Sequence, residues 1–200
     1  GCEWGCFDYS QQEPRLVVHY ASLDQDSSVF NVKDAYNEGD ADFHTIVAKM
    51  AQIPRDQAKT INLGLFYGMG KAKLQAELGV SKDKAEELFS VYHNRVPFVR
   101  TLMKSVSNRA QQRGQIRTLL GRLCRFHLWE PNSFGMHKAL PFEQAVQEHG
   151  PGIKRAYTYK ALNKLIQGSA ADMTKKSMLD LYKEGIIPHI QIHDELDISV

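Results

Sequence analysis

The sequence predicts a mostly helical α+β fold, in which a short strand and a final β-hairpin enclose a series of helices. A strand-like apolar run opens the chain, apolar residues recur at helical spacing through its middle, and apolar and polar residues alternate at its end. Hydrophobic residues make up 42% and charged residues 24% of the 200 positions, which is typical of a globular protein and excludes a disordered one. No apolar run approaches the roughly 20 residues that a membrane-spanning helix needs.

The first half of the chain carries clear signals for where elements begin and end. A strand over residues 2–8 ends in the carboxylate of Asp8, and Pro14 stands where proline favours the start of a helix. Ser81 is a favourable N-cap, and Gly68 is placed to end a helix. The helices predicted after the first one cover residues 43–50, 54–67 and 84–92.

The second half contains the longest predicted helix and the hairpin. A helix over residues 99–113 ends at Gly114, and residues 123–152 are interrupted by proline and glycine, which predicts a loop-rich connection. A long helix over residues 154–183 follows, and residues 193–195 lie at the turn of a terminal β-hairpin. The inward-facing stripe of the long helix consists of Leu162, Leu165, Ile166, Ala170 and Met173.

Charge is unevenly distributed along the chain. Residues 88–129 contain no aspartate or glutamate, which favours contact with a polyanion such as a nucleic-acid backbone over a merely solvated helix face. Residues 24–42 are acidic instead, and are interpreted as a surface connection. The basic residues of the acid-free stretch are Arg95, Arg100, Lys104, Arg109, Arg113, Arg117, Arg122 and Arg125, of which those at 109, 113 and 117 would share one side of a helix.

Two carboxylates stand at predicted strand ends at opposite ends of the sequence. If the first strand packs beside the hairpin, Asp8 and Asp194 meet and offer oxygen ligands to a hard divalent cation such as Mg²⁺. Two such ions support phosphoryl transfer by activating the attacking oxygen and neutralising the leaving one. A pair of aspartates is a weak signal by itself, and the adjacent His193 also fits a metal-dependent phosphohydrolase.

A more specific pattern lies on the helix that begins near residue 55. Arg55, Lys59, Leu63 and Tyr67 are four apart, so they span a helix face about 120° wide. Two cations, an apolar residue and an aromatic residue in this order suit the triphosphate, sugar and base of a nucleotide. The alternative is a basic helix start followed by a core stripe, but Gly64 within it destabilises a simple core helix by about 0.5–1 kcal/mol relative to alanine.

Three segments together resemble the motifs of family A DNA polymerases, the DNA polymerase I family. Residues 8–15 (DYSQQEPR) resemble motif A, residues 55–68 (RDQAKTINLGLFYG) resemble motif B, and residues 193–195 (HDE) resemble motif C. The motifs occur in family order, and the resemblance covers nearly the whole chain. Further matching stretches are residues 42–45, 118–122 and 163–172.

The resemblance implies a role for each matching residue. Asp8 and Asp194 would bind two Mg²⁺ ions, Glu195 would be an auxiliary acid near the primer end, and Lys59 would donate a proton to the leaving pyrophosphate. Glu13 would be the steric gate against a ribose 2′-hydroxyl. The implied nucleotide-binding residues are Glu13, Arg55, Lys59, Leu63 and Tyr67. The implied DNA-binding residues are Arg117, Arg122, Asn163, Gln167 and His193.

The resemblance also implies an architecture and partners. Residues 1–45 would form a first part of the palm, residues 46–154 the fingers with a basic connection, and residues 155–200 a second part of the palm. The right-hand architecture would be incomplete because no thumb is recognised, and the chain is expected to be a piece of a longer protein. The implied function is DNA-templated DNA synthesis in replication by a monomer that acts on primer-template DNA and dNTPs, without a membrane, in the cytoplasm of a bacterium or a phage-infected host.

Some positions depart from the family pattern, and other functions are considered. Leu63 replaces the usual aromatic residue, Pro14 replaces an aliphatic one, and Tyr159 stands where an arginine is usual; the form of motif A resembles phage-type members. One alternative is a fragment that only binds nucleotide or DNA, and a weaker one is the phosphohydrolase. The three cysteines predict reduced thiols and no zinc site, since Cys2, Cys6 and a stray histidine supply too few closely spaced ligands.

Overall fold

The computed structural model describes residues 3–24, 26–39, 41–66, 71–133 and 135–199. A three-stranded antiparallel sheet joins the two ends of the chain, with the strand order β1-β8-β7. Its strands are β1 (Trp4–Asp8), β7 (Ile190–Ile192) and β8 (Glu195–Ser199). Trp4 pairs with Ser199 and Asp8 with Glu195, so the first strand lies beside the hairpin as predicted.

Helices fill most of the chain between β1 and β7. Two predicted caps are confirmed: the Ser81 side chain accepts a hydrogen bond from the Lys84 N–H, and Gly114 ends its helix in the left-handed conformation at φ 67°. Gly68, which is also predicted to end a helix, lies outside the described residues. The helices are α1 (Gln12–Leu23), α2 (Phe30–Glu38), α3 (Phe43–Ala51), α4 (Arg55–Phe66), α5 (Lys71–Leu78), α6 (Lys82–Arg95), α7 (Pro97–Arg113), α8 (Phe142–His149) and α9 (Ala161–Lys183).

One hydrophobic core holds the helices together, and α9 runs through it. The predicted inward stripe is confirmed, because Leu162, Leu165, Ile166 and Ala170 are buried and Met173 packs against the same core. The core also takes fully buried side chains from the other helices, including Val17, Val47, Ile61, Tyr92 and Phe98. Among the described residues, no helix is both long and apolar enough to cross a membrane.

Three predictions about individual segments are wrong. Residues 123–152 are not mainly loop, because they contain helix α8 and short strands whose pairing partners lie elsewhere in the chain, which local periodicity does not reveal. For the same reason α9 starts at Ala161 and not at residue 154, since the preceding residues pair with a strand. The acidic residues 24–42 are not only a surface connection, because α2 and the 3-10 turn before it bury Val29 and Val32 completely. The short strands are β2 (Gln115–Arg117), β3 (Leu123–Arg125), β4 (Leu128–Pro131), β5 (Leu140–Pro141) and β6 (Ile153–Arg155).

The turn between β2 and β3 sits directly on α9, and Gly168 allows this close approach. A Cβ atom at Gly168 would lie 2.9 Å from Thr118 Cγ2 and 3.3 Å from Arg122 Nη2. Thr118 cannot easily move away, because its hydroxyl donates a hydrogen bond to Asp172 Oδ2 over 2.5 Å. Arg122 donates to Asp172 Oδ1 over 2.7 Å and to the Gly168 carbonyl over 2.9 Å.

We expect Gly168→Ala to lower the free energy of unfolding by about 1–2 kcal/mol, because the contact with Thr118 outweighs the higher helix propensity of alanine. Thr118→Ser removes the Cγ2 methyl and keeps the hydroxyl. In that background, Gly168→Ala should be neutral or stabilising. Urea denaturation of the four variants measures this, and an equal destabilisation in both backgrounds would contradict the proposed contact.

Candidate active site

The pairing of β1 with β8 brings the two predicted metal-binding aspartates to one end of the sheet. Asp8 is the last residue of β1 and pairs with Glu195, and the Tyr9 N–H donates to the Asp194 carbonyl over 3.4 Å. Asp8 is exposed, whereas the side chain of Asp194 is 22% exposed. The sequence expectation that these two carboxylate-bearing strand ends meet is therefore confirmed.

His193 links this strand end to the start of α1. It occupies the tight turn between β7 and β8 with φ 56°, and its Nδ1 lies 2.8 Å from Asp194 Oδ1. Its Nε2 lies 3.7 Å from Oε1 of the buried Glu13. The hydrogen bond to Asp194 raises the pKa of His193, and the negative charges of Asp194, Glu13 and Asp8 act in the same direction. His193 thus joins motif A to motif C.

Negative charge accumulates beyond the two aspartates. The pKa of Glu195 is raised by a hydrogen bond with Asp197, by partial desolvation, and by the charges of Asp197, Asp8 and Asp194. Raised carboxyl pKa values of this kind indicate a local field that favours cations. This end of the sheet is therefore suited to hold a positively charged ligand.

Gln11 connects the carboxylate end of β1 to the next part of the site. Its Oε1 accepts hydrogen bonds from the Tyr36 hydroxyl and the Phe43 N–H, each at 2.9 Å, and its Nε2 donates to the Ala41 carbonyl at 2.9 Å. The residue has φ 52°, and these three bonds fix it in that uncommon conformation. The start of α1 is thereby tied to the start of α3.

The first turn of α3 anchors the arginine of α4. Asp42 caps α3 by accepting from the His44 N–H over 3.1 Å, and its Oδ2 accepts from the Thr45 hydroxyl over 2.6 Å and from Arg55 Nε over 2.7 Å. Partial burial alone would raise the pKa of Asp42, but the hydrogen bonds from Thr45, Arg55 and His44 and the charge of Arg55 lower it. The guanidinium of Arg55 is thus oriented while remaining half exposed.

His44 lies beside Arg55 and Lys59 and was not singled out from the sequence as a site residue. Its Nδ1 accepts from Asn62 Nδ2 over 3.0 Å, and buried Asn62 in turn accepts from the Tyr92 hydroxyl. Burial lowers the pKa of His44, and the nearby Arg55 and Lys59 lower it further against the opposing effect of Asp42. The signal that could have found it is its position two residues after a helix-capping aspartate, inside the matching stretch 42–45.

Helix α4 presents the other predicted nucleotide-binding residues. Arg55 and Lys59 are exposed and Leu63 is half-buried, whereas Tyr67 lies outside the described residues. In the part of the chain that the structure describes, no hydrogen bond or ion pair joins these two cations to Asp8 or Asp194. The site thus has carboxylates at the end of the sheet and a separate pair of cations on α4.

The chain matches a known protein family over almost its full length. The profile of DNA polymerase family A matches residues 2–200. The chain belongs to DNA polymerase family A. The resemblance inferred from the three motifs is therefore confirmed.

Individual relatives come from phages and from bacteria. The chain is 33% identical to a DNA-directed DNA polymerase of Pseudomonas phage M6, of which it covers 33%, with all of this chain aligned. It is 31% identical to DNA polymerase I of Bacillus caldotenax, with 97% of this chain and 21% of that protein covered. The chain thus spans about a third or less of the length of these relatives.

A solved family A structure has the same fold. The POL domain of Pol1 from M. smegmatis, in a complex described as containing DNA primer-template and dNTP, aligns with a TM-score of 0.73 and 29% identity. The alignment covers 99% of this chain and 33% of that one. The α+β fold predicted from the sequence, mostly helical with small antiparallel sheets, is confirmed.

Four of the five residues predicted to bind DNA lie on two neighbouring elements, and the fifth, His193, lies in the turn between β7 and β8. Asn163 and Gln167 are one turn apart on α9, and the β2–β3 turn that packs against α9 carries Arg117 and Arg122 at its ends. Arg117 is on β2 and donates to the Gly121 carbonyl, so it does not share a helix face with Arg109 as its spacing had suggested. Arg122 also stabilises the fold through Asp172, and its side chain is half exposed.

The lowered pKa of His44 predicts the pH dependence of stability. A histidine whose pKa is lower in the folded state than its usual value of about 6.5 stabilises the fold above that pH, and this stability is lost as the pH falls. We therefore expect the contribution of His44 to the free energy of unfolding to be lost between pH 7 and pH 5, and His44→Gln to make the free energy of unfolding fall less over this range than it does in the parent chain.

His93, whose pKa burial and neighbouring cations also lower, should account for part of the remaining slope. Replacement of the exposed His127 by glutamine is the matched control. Urea denaturation across the pH range measures all three, and an unchanged slope in His44→Gln would contradict the assignment.

Proposed function

We propose that this chain is the catalytic palm-and-fingers core of a DNA-templated DNA polymerase. It would transfer deoxynucleotides from dNTPs to a primer 3′-hydroxyl during DNA replication. The observation that carries the proposal is the adjacency of Asp8 and Asp194 at the end of the β1–β8 ladder, together with the cationic face of α4. Membership of family A and a related structure described with primer-template and dNTP support this reading.

The carboxylates fit two Mg²⁺ ions. Asp8 is exposed, Asp194 is accessible, and both offer hard oxygen ligands in a region whose charge favours cations. When bound, the two ions supply Lewis-acid stabilisation to the attacking and leaving oxygens. Asp8 and Asp194 would hold them, and Glu195 would act as the auxiliary acid beside the primer end.

The cations of α4 would bind the triphosphate. Arg55 offers a fork of donors that Asp42 already orients, and Lys59 adds a point charge and a proton for the leaving pyrophosphate. His44 lies in the field of both cations and would add a third group toward the phosphates. Leu63 and Tyr67, further along the same face, would contact the sugar and the templating base.

Glu13 would discriminate between deoxyribose and ribose from the side of the site that carries Asp8 and Asp194. It is buried, and its carboxylate is close to His193, which would contact the primer. A buried side chain at that place leaves little room for a 2′-hydroxyl. Glu13 lies in the first turn of α1, so the helix fixes the position of this gate.

Primer-template DNA would lie along α9 and the β2–β3 turn. Asn163 and Gln167 would reach minor-groove acceptors that all base pairs share, and Arg117 and Arg122 would contact phosphates. In this proposal residues 1–45 and 155–200 form the palm, and residues 46–154 form the fingers with the basic connection. The enzyme would act as a monomer.

The proposal is tested by single-nucleotide primer extension with Mg²⁺. The 200 residues replace the corresponding segment of a complete family A polymerase, and Asp194→Asn is compared with Asp34→Asn on the exposed surface of α2. We expect template-directed incorporation that Asp194→Asn reduces by at least about 100-fold, because a ligand charge is removed without a change in shape. Asp34→Asn should leave the rate unchanged.

Two other results would contradict the proposal. A folded graft that binds primer-template and never incorporates would support the binding-only alternative. Phosphate release from a dNTP without primer or template would support a phosphohydrolase that uses His193 and Asp194. Circular dichroism of each graft separates loss of function from loss of fold.

The role of Glu13 gives a separate prediction. We expect Glu13→Ala to increase ribonucleotide incorporation relative to deoxynucleotide incorporation by about 10-fold or more, since the truncated side chain leaves room for the 2′-hydroxyl. Glu13→Gln, which keeps the volume, should retain most of the selectivity. Competition between rNTP and dNTP in the same extension assay measures the ratio, and an unchanged ratio in Glu13→Ala rules out the gate.

A further inference from the structure

A second group of metal-ligating side chains lies on the same sheet, next to the candidate active site. Cys6 on β1 pairs with Asp197 on β8, and side chains two positions apart in a strand share a face, so Asp197 and Glu195 lie side by side. The Sγ atom of Cys6 and a carboxylate oxygen each from Glu195 and Asp197 all lie within 4.8 Å of one another. Three donor groups thus converge on one point.

Asp197 is unusual within this group. It is only 5% exposed, and its Oδ1 atom is buried with no hydrogen-bond partner among the described residues. A buried carboxylate oxygen without a partner is unfavourable, because that oxygen has lost its water and no hydrogen bond replaces it. The charge of Glu195 beside it makes this cost larger unless a cation or a proton is present.

The types of donor distinguish this group from the pair Asp8 and Asp194. Mg²⁺ takes oxygen ligands almost exclusively, whereas a thiolate selects softer ions. One sulfur and two carboxylate oxygens, with water as the fourth ligand, match the tetrahedral coordination of Zn²⁺ at about 2.3 Å from sulfur and about 2.0–2.2 Å from oxygen. The present separations allow this after small side-chain rotations, since Cys6 is exposed and Glu195 is half-buried.

We propose that Cys6, Glu195 and Asp197 form a binding site for a borderline-soft divalent metal, with Zn²⁺ as the expected ion. Asp197 provides the buried oxygen, Cys6 provides the thiolate that excludes Mg²⁺, and Glu195 closes the site toward Asp8. The site depends on the register of β1 against β8 and not on polymerase activity. Its existence can therefore be tested without a nucleotide or DNA.

The test uses Co²⁺ as a spectroscopic substitute for Zn²⁺ in the 200-residue chain. Cys2→Ser and Cys124→Ser are combined first, so that Cys6 is the remaining thiol. We expect one equivalent of Co²⁺ to produce a sulfur-to-metal charge-transfer band that Zn²⁺ displaces and excess Mg²⁺ does not. In the same background, Asp197→Asn should weaken Zn²⁺ binding by about 10-fold or more, and Cys6→Ser should also remove the band.

Asp8→Asn combined with Asp194→Asn is the matched control and should leave the band and the Zn²⁺ affinity nearly unchanged. Circular dichroism verifies that each variant is folded, and Cys6→Ser is the mildest change because the residue is exposed. The proposal is overturned if the parent chain gives no charge-transfer band, or if Zn²⁺ binds equally well after Cys6→Ser. Absence of binding in a folded chain would mean that Asp197 is stabilised by a proton shared with Glu195 or Cys6.

Discussion

The pairing of the first strand with the last one is the constraint on which the rest of the structure depends. It brings together segments from opposite ends of the sequence, and the helical core between them must fold so that this closure is possible. A shift of one residue in the register would turn every side chain of β1 to the other face of the sheet. Asp8 would then face away from Glu195, and Cys6 from Asp197. Both candidate sites therefore depend on a single set of backbone hydrogen bonds.

A second set of contacts fixes the position of the helices relative to the sheet. Gln11 binds the start of α3 through three hydrogen bonds, and α3 presents Asp42, which in turn orients Arg55 on α4. The carboxylate end of β1 and the cationic face of α4 are thus joined by a short series of polar contacts. These hydrogen bonds are directional and partly buried, so they favour one placement of α4 relative to β1 over other placements.

Local rules explain which parts of this arrangement could be predicted from the sequence. Features that depend on residues close together in one helix could be predicted. They are the Ser81 cap, the Gly114 stop and the inward stripe on α9. The short strands β2 to β6 were not, because two to four residues carry too little periodicity and their stability comes from partners elsewhere. The cluster of Cys6 with Asp197 and Glu195 could not be predicted for the same reason, because it is formed by the register of β1 against β8 and not by spacing along the chain.

The distribution of charge explains why the two parts of the site do not neutralise each other. At the sheet end, a hydrogen bond with Asp197 and the charges of Asp8 and Asp194 raise the pKa of Glu195, whereas burial and the charges of Arg55 and Lys59 lower the pKa of His44. Arg55 is held by Asp42 from its own neighbourhood and not by the sheet carboxylates. Opposite charges kept apart by a rigid fold attract a ligand that carries both signs. A polyphosphate accompanied by divalent cations carries both positive and negative charge. The separation of the carboxylates from Arg55 and Lys59 is unfavourable for the protein alone, but it supports the proposed function.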